Sequence, residues 1–239
     1  MAGCRVYRRI GSVIRDIFKG LHKPIYERRL KELVRLIGPH VSSGATVLDV
    51  GCGYGHLGRA IMDAYPKVQV EGVESVKRGG ELIPVTAYEG TQIPWKDGSF
   101  DAVILADVLH HDHDPDRLLR ESARVSKRLV IIKDHLREGL LAQQRISLLD
   151  WAANAPYQVP CTYRYNNLSE WRTTIGRVSS RIIEERTSVD VYPPVVNQLL
   201  GKGLHYFAVF SADQGAVTLL QKEELKRGST KGRNSSHCG

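Results

Sequence analysis

The sequence predicts an α/β fold: a mostly parallel, seven-stranded sheet with helices on both faces and an antiparallel last strand. Three observations carry that prediction. From Thr46 onward, short runs rich in Val and Ile alternate with segments of helical periodicity, the pattern of strands joined by crossover helices. The first of these runs ends directly in a glycine-rich turn at Gly51. The chain's 239 residues, 42% hydrophobic and 25% charged, suffice for one full domain with a deep core and not comfortably for two. Disordered, collagen-like and coiled-coil classes are excluded by the same composition.

The elements follow in order. Val6, Ile10, Val13, Ile14, Ile17 and Phe18 recur at helical spacing with Arg5, Arg8, Arg9, Arg15 and Lys19 between them, a basic amphipathic helix. Pro24 interrupts, and a second helix from Ile25 to Ile37 carries Leu30, Leu33, Val34 and Ile37 as far as Gly38-Pro39. Strands are expected at Thr46 to Val50, Val68 to Val73, Ile83 to Ala87, Phe100 to Ala106 and Arg128 to Lys133, with helices at Leu57 to Ala64 and Pro115 to Val125. Leu136 to Arg177 reads as an insertion of loops and short helices holding Trp151, Tyr157, Tyr163, Tyr165 and Trp171. Ile182 to Tyr192 and His205 to Ser211 complete the sheet as an antiparallel pair. The organisation expected is a helical cap over 1–40, a main domain over 41–212 with its insertion at about 136–177, and a disordered tail over 213–239.

The formal charge of +8 is unevenly placed. Residues 1–40 hold ten Lys/Arg against three Asp/Glu, a net +7, and residues 213–239 hold five against three, a net +2. That leaves 19 against 20 for the main domain, a net charge of minus one. A nucleic-acid enzyme lines its groove with Lys and Arg, so no nucleic-acid partner is expected. The basic N-terminal segment reads as a cap helix with a solvated face, with weak contact to an anionic membrane surface as its secondary role. Cys4, Cys52, Cys161 and Cys238 form no CxxC pair, no apolar run approaches the ~20 residues of a membrane span, and no signal-peptide core is visible. A reducing, cytoplasmic setting is expected.

The chemistry-bearing string is Val47-Leu48-Asp49-Val50-Gly51-Cys52-Gly53-Tyr54-Gly55-His56-Leu57-Gly58. A strand, a glycine turn and a helix bring backbone N–H groups close to a ligand, because glycine has no side chain to obstruct the approach. Gly53-x-Gly55-x-x-Gly58 has the form of a dinucleotide fingerprint. Counted from the first glycine after the strand, however, that pattern becomes Gly51-x-Gly53-x-x-His56 and lacks its third glycine.

The string resembles the first motif of the class I S-adenosylmethionine-dependent methyltransferases, in the small-molecule subgroup similar to the ubiquinone and menaquinone methyltransferases. The likeness runs from Thr46 to Val130, and further signatures follow in order. They are Glu74 at the end of the second strand, Tyr88-Glu89-Gly90-Thr91-Gln92-Ile93-Pro94-Trp95, Lys96 to Asp101, Ala106-Asp107-Val108-Leu109-His110-His111, and Arg120-Glu121 with Arg124-Val125. The resemblance implies a Rossmann-like methyltransferase fold and S-adenosylmethionine as cofactor. It implies a cofactor site of Asp49, Gly51, Cys52, Gly53, Tyr54 and Gly55 in the turn, Glu74 and Ser75 at the ribose, Tyr88, Glu89 and Gly90 at the adenine, and Ala106, Asp107 and His111 at the methionine end. Adenosylmethionine presents a diol, an amine and an ammonium, all donors, and no phosphate, which suits Asp49, Glu74 and Glu89 with no nearby Lys. Two departures stand out: the turn before the fifth strand is shortened to Val125-Ser126-Lys127-Arg128, and the nine residues from Ser75 to Ile83 leave little room for a helix.

Methyl transfer is an in-line displacement, so a base is needed only where the acceptor must lose a proton. Candidates are His110, His111, His135, Asp107 and Asp134, all expected at the carboxyl ends of the fourth and fifth strands, where open α/β sheets bind ligands. His111 and His135 are favoured as catalytic residues, with Asp134 as orienter. No metal site is expected, because neighbours in His110-His111-Asp112-His113-Asp114 seldom converge on one ion. Asp150-Trp151-Ala152-Ala153-Asn154 with Tyr163 and Tyr165 reads as a lid over a small, partly apolar or aromatic acceptor. Two alternatives stand beside the enzyme: a non-catalytic protein that binds adenosylmethionine or adenosylhomocysteine, and an NAD-dependent dehydrogenase. Monomer and homodimer are both compatible with the sequence.

Overall fold

A computed structural model describes residues 24–154 and 162–212. The expected helix from Val6 to Phe18 and the tail after Ala212 lie outside them. Helix α1 runs through residues 24–37 of the described chain. The elements that follow are β1 (Thr46–Val50), α2 (His56–Ala64), β2 (Gln69–Glu74), β3 (Val85–Ala87), β4 (Phe100–Ala106), α3 (Pro115–Val125), β5 (Ser126–His135), α4 (Ala142–Asn154), α5 (Leu168–Gly176), β6 (Ile182–Arg186) and β7 (His205–Ser211).

The seven strands lie in the order β3-β2-β1-β4-β5-β7-β6. Pairs from β3 through β5 are parallel, and β7 runs antiparallel to both β5 and β6. Alternation along the central strands divides the core into two layers. Leu48, Val50, Val103, Leu105, Val130 and Ile132 pack toward Leu118, Leu119 and Ala123 of α3 and Trp171 of α5. Val47, Ala102, Ile104 and Ile131 face the other way, onto Leu33 and Ile37 of α1 and Leu57 and Ile61 of α2. The insertion has a small core of its own, Ala142, Ile146, Tyr165 and Leu204.

Both departures are visible in the backbone. Residues 75–84 contain no helix, and α3 passes into β5 with no residue between Val125 and Ser126. Other boundaries move. The strand expected from Ile182 to Tyr192 stops at Arg186, because Val189 and Val191 turn into the α1 layer instead of pairing on the sheet. Strand β3 begins only at Val85, since Ile83 is used to fill the space over Gly55 and Gly58. Strand β5 is longer than expected and carries Asp134 and His135 as paired residues, opposite Tyr206 and His205. The basic face of α1 is not simply solvated: Arg28 donates to the Tyr192 carbonyl at 2.8 Å and Arg29 reaches Asp107.

Candidate functional site

At the β1–β2 edge, the glycine turn has the shape of a cradle. Gly51, Gly53 and Gly55 all have positive φ, and a side chain at Gly51 or Gly55 would drive into Val108 or Ile83. Gly53 differs: nothing lies within 4 Å of the place its Cβ would occupy, so its backbone faces open space. Its N–H donates to one Glu74 carboxylate oxygen at 2.9 Å, while the Ser75 N–H and hydroxyl donate to the other at 2.9 and 3.1 Å. A carboxylate has about four lone-pair positions, so Glu74 keeps acceptor capacity for a diol. Tyr88 lies beside it, its N–H donating to the Glu74 carbonyl. Glu89 is exposed, and Gly90 is held from behind by the Arg117 guanidinium, which donates to the carbonyls of Gly90 and Thr91. Tyr54 lies under the Arg78 guanidinium, 5.6 Å from its ring centroid.

Asp49 is buried beneath the turn, and one of its carboxylate oxygens has no hydrogen-bond partner among the described residues. Burial, with a smaller push from Glu74, raises its pKa to about 7 against the pull of Arg29. A buried acid with a spare acceptor suits a cationic ligand. Burial, with help from Asp49 and Glu74, also pushes the Cys52 thiol up to about 12, so it is a packing group and not a nucleophile. The Cys52 sulfur occupies the space that a side chain at Gly72 would need.

Asp107 follows β4 with φ of 56°, a left-handed conformation that Asp tolerates better than most residues. Its carboxylate receives Lys133 Nζ at 2.6 and 2.8 Å and Arg29 Nη2 at 2.5 Å. Burial would raise its pKa, but Lys133 and Arg29 together hold it well below the usual carboxylate range. Asp107 is therefore an ion-pair anchor joining β4, β5 and α1, not a free base.

Beyond it, at the carboxyl ends of β4 and β5, the histidines gather. His110 and His111 sit on the 3-10 turn Leu109–His111, and His135 closes β5. The His110 ring lies 4.0 Å from that of His111 and 4.8 Å from that of His135, and His135 lies 5.5 Å from His205. Asp134 contacts His110 Nδ1 at 2.6 Å. It thus orients His110, where the sequence reading has it orienting His111 or His135. Burial alone would lower the His110 pKa, but Asp134 and Asp150 outweigh it and push the group up to about 10. Burial and then the neighbouring His110 lower His111, and the same two causes bring His135 down to about 4. His111 is the more exposed of the adjacent pair, its side chain 25% accessible against 3% for His110.

From the insertion, Asp150 of α4 reaches in beside the two adjacent histidines, and the Tyr165 hydroxyl donates to it at 2.7 Å. Trp151 and Tyr163 are exposed; the side chains of Ala153 and Asn154, and all of Tyr157, lie outside the described residues. The sequence reading included Asp150 only as part of a lid, and did not single out Arg29, Lys133 or Arg117. Arg29 and Lys133 carried a signal in one respect: each stands on the apolar face of an otherwise core-forming segment.

Residues 22–176 match a family described as a methyltransferase domain. The chain belongs to this methyltransferase family. Its cofactor is S-adenosylmethionine, and the open Gly53 backbone, the spare oxygen of Asp49 and the remaining acceptor capacity of Glu74 fit that ligand. Over 118 residues the chain is 29% identical to a demethylmenaquinone methyltransferase of Thermotoga maritima, covering 45% of this chain and 49% of the relative. It thus spans about half the length of that curated relative. An S-adenosylmethionine-dependent methyltransferase structure from Thermotoga maritima superposes with a TM-score of 0.57 at 17% identity, covering 82% of this chain and 97% of the other. The [4+2]-cyclase SpnF superposes at 0.55 with 14% identity, covering 75% and 80%. At these identities the solved structures share the fold alone, and the cyclase among them shows that one fold serves more than one chemistry. Among the described residues no helix is long and apolar enough to cross a membrane.

Proposed function

We propose that this methyltransferase moves the methyl group of S-adenosylmethionine to a small, partly apolar or aromatic acceptor bound over the carboxyl ends of β4 and β5, against α4. The observation that carries the reading is the juxtaposition there of titratable rings with the aromatic insertion: His110, His111 and His135 meet Asp150 and Tyr165 within one cluster. The cofactor supplies an electrophilic methyl on a sulfonium. The chain's residues align the acceptor, exclude water and take its proton.

His111 and His135 are the proposed bases, because burial keeps both neutral at pH 7 and a neutral imidazole nitrogen accepts a proton. His111, with the greater access, is placed to meet the acceptor directly. Asp134 acts through His110, holding a cationic ring against the other two. Glu74, Asp49 and the turn from Gly51 to Gly55 bind the cofactor, with Tyr88, Glu89 and Gly90 along the adenine side.

The test is adenosylhomocysteine formation by the full chain with S-adenosylmethionine and a panel of phenols, quinols and heteroaromatic amines. Turnover that falls sharply in both His111→Ala and His135→Ala supports the reading. Unchanged turnover in both removes the base assignment. Tight cofactor binding with no turnover on any member of the panel supports a non-catalytic binder instead.

A further inference from the structure

The histidine cluster contains more than a base needs. Among the described residues, His110 Nε2 and His135 Nδ1 are buried and without a hydrogen-bond partner. His110, His135 and Asp150, all buried, each offer one ligand atom within 4.8 Å of the others. His110 Nε2 stands 3.7 Å from Asp150 Oδ1, too far for a hydrogen bond. Two donors bound to one ion at about 2.0–2.1 Å lie roughly 3.3–4.1 Å apart for angles from tetrahedral to linear. The His110–Asp150 pair is already in that range, and the widest separation in the cluster, up to 4.8 Å, closes by several tenths of an ångström on binding.

The surroundings match as well. An ionised Asp134 only accepts, so His110 Nδ1 must carry the hydrogen shared across 2.6 Å, which aims the Nε2 position toward Asp150. The ion takes the place of the proton that Nε2 carries in the cationic, metal-free ring and releases it on binding. A carboxylate behind a ligating imidazole is the usual support for a metal-bound histidine. Asp150 is supported likewise, its other oxygen receiving the Tyr165 hydroxyl at 2.7 Å.

We propose that His110, His135 and Asp150 bind a divalent first-row transition ion, of the zinc or iron(II) class, between β4, β5 and α4. Two imidazoles and one carboxylate favour such an ion over magnesium or calcium, which prefer all-oxygen sets. Residues from one short loop do not form this site. It draws one ligand from each of three elements, and His113 of the His110-His111-Asp112-His113-Asp114 run takes no part. The inference goes beyond the proposed methyl transfer, and ion binding is read without any acceptor; with the ion bound, His135 serves as a ligand and His111 remains as the base.

The test uses the full chain stripped with a chelator. Cobalt(II) is titrated in while its visible absorption is followed, and bound zinc is counted per chain after gel filtration. One ion per chain is expected, with affinity at least ~100-fold weaker in His135→Ala and Asp150→Asn, about 10- to 100-fold weaker in Asp134→Asn, and unchanged in His113→Ala. No stoichiometric ion in the wild-type chain overturns the proposal. So does wild-type affinity in His135→Ala or Asp150→Asn. Should these variants fail to fold, X-ray absorption of the zinc-loaded wild-type chain decides. Two imidazole nitrogens with an oxygen are expected, and a sulfur-rich shell contradicts the assignment.

Discussion

The two ends of the site are built by different means. The cofactor end, at the edge formed by β1, β2 and β3, is mostly backbone: a turn of glycines with positive φ, one acid gripping it and one acid beneath it. The histidine end, at β4, β5 and β7, is all side chain, assembled from His110, Asp134, His135, Asp150 and His205 on four elements. Backbone sites depend on a local conformation, so they are contiguous in the chain. Side-chain sites depend on the packing of the whole sheet, and the Arg29–Asp107–Lys133 group, its lysine buried and the other two half-buried, is what separates one end from the other.

That contrast makes the cofactor end the more fragile to single substitutions, and Gly51→Val is the largest test of it. The new Cβ would stand 2.6 Å from a Val108 methyl at φ of 67°. Overpacking and strain together cost a few kcal/mol, about 2–5, and cofactor binding should vanish in a calorimetric titration. Gly53→Ala, where no atom obstructs but φ is 57°, should fold with a smaller loss of stability, about 1 kcal/mol, and lose affinity. If both variants bind the cofactor equally well, the cradle is not where it sits.

The boundary between the two ends is tested by Lys133→Met. Its side chain is 2% exposed and bonds both Asp107 oxygens, so removing the charge leaves a half-buried carboxylate with Arg29 alone. A loss of about 2–3 kcal/mol, less than for a fully buried pair, is expected in denaturant unfolding. At the histidine end, His111→Ala should lower turnover on a protic acceptor by roughly 10²-fold, with the cofactor dissociation constant moving far less.

A smaller effect comes from pH. Asp49 has a folded-state pKa of about 7 against an ordinary 3.8. Because the folded value is the higher, its contribution to stability is fully present below the ordinary value and is lost as pH rises to about 7. The slope is on the order of 1 kcal/mol per unit at most. Thermal melts of the wild-type chain between pH 5 and pH 8 should decline more steeply than those of Asp49→Asn. A cationic ligand favours the ionised acid, so cofactor binding near pH 6 should release a proton, seen as buffer-dependent heats. Smallest of all is Tyr165→Phe, which removes one hydrogen bond to Asp150 and should cost about 1 kcal/mol.

The same contrast explains what could be read from the sequence. The succession of strands and helices along the chain, the absence of a helix after β2 and the cofactor turn follow from local periodicity, from the short segment after Glu74 and from glycines in a row, all properties of neighbouring residues. His110 and His135 could be placed at adjacent strand ends because parallel sheets present those ends together. Asp150 was out of reach: it comes from an insertion whose docking is set by Ala142, Ile146, Tyr165 and Leu204 meeting in space. Arg29 reads as one more charge on a basic helix until β4 is placed beneath it. The strand beyond Arg186 failed for a related reason, since Val189 and Val191 have strand-like spacing yet are buried against a helix.

The central claim is that cofactor and acceptor chemistry lie at opposite ends of one line of residues, from Glu74 past Asp107 to His135. Calorimetric titration of S-adenosylmethionine into the wild-type, Glu74→Ala and His135→Ala chains tests it directly. The account predicts a loss of at least ~10-fold in affinity for Glu74→Ala and wild-type affinity for His135→Ala. Unchanged binding by Glu74→Ala, or lost binding by a folded His135→Ala chain, would contradict it.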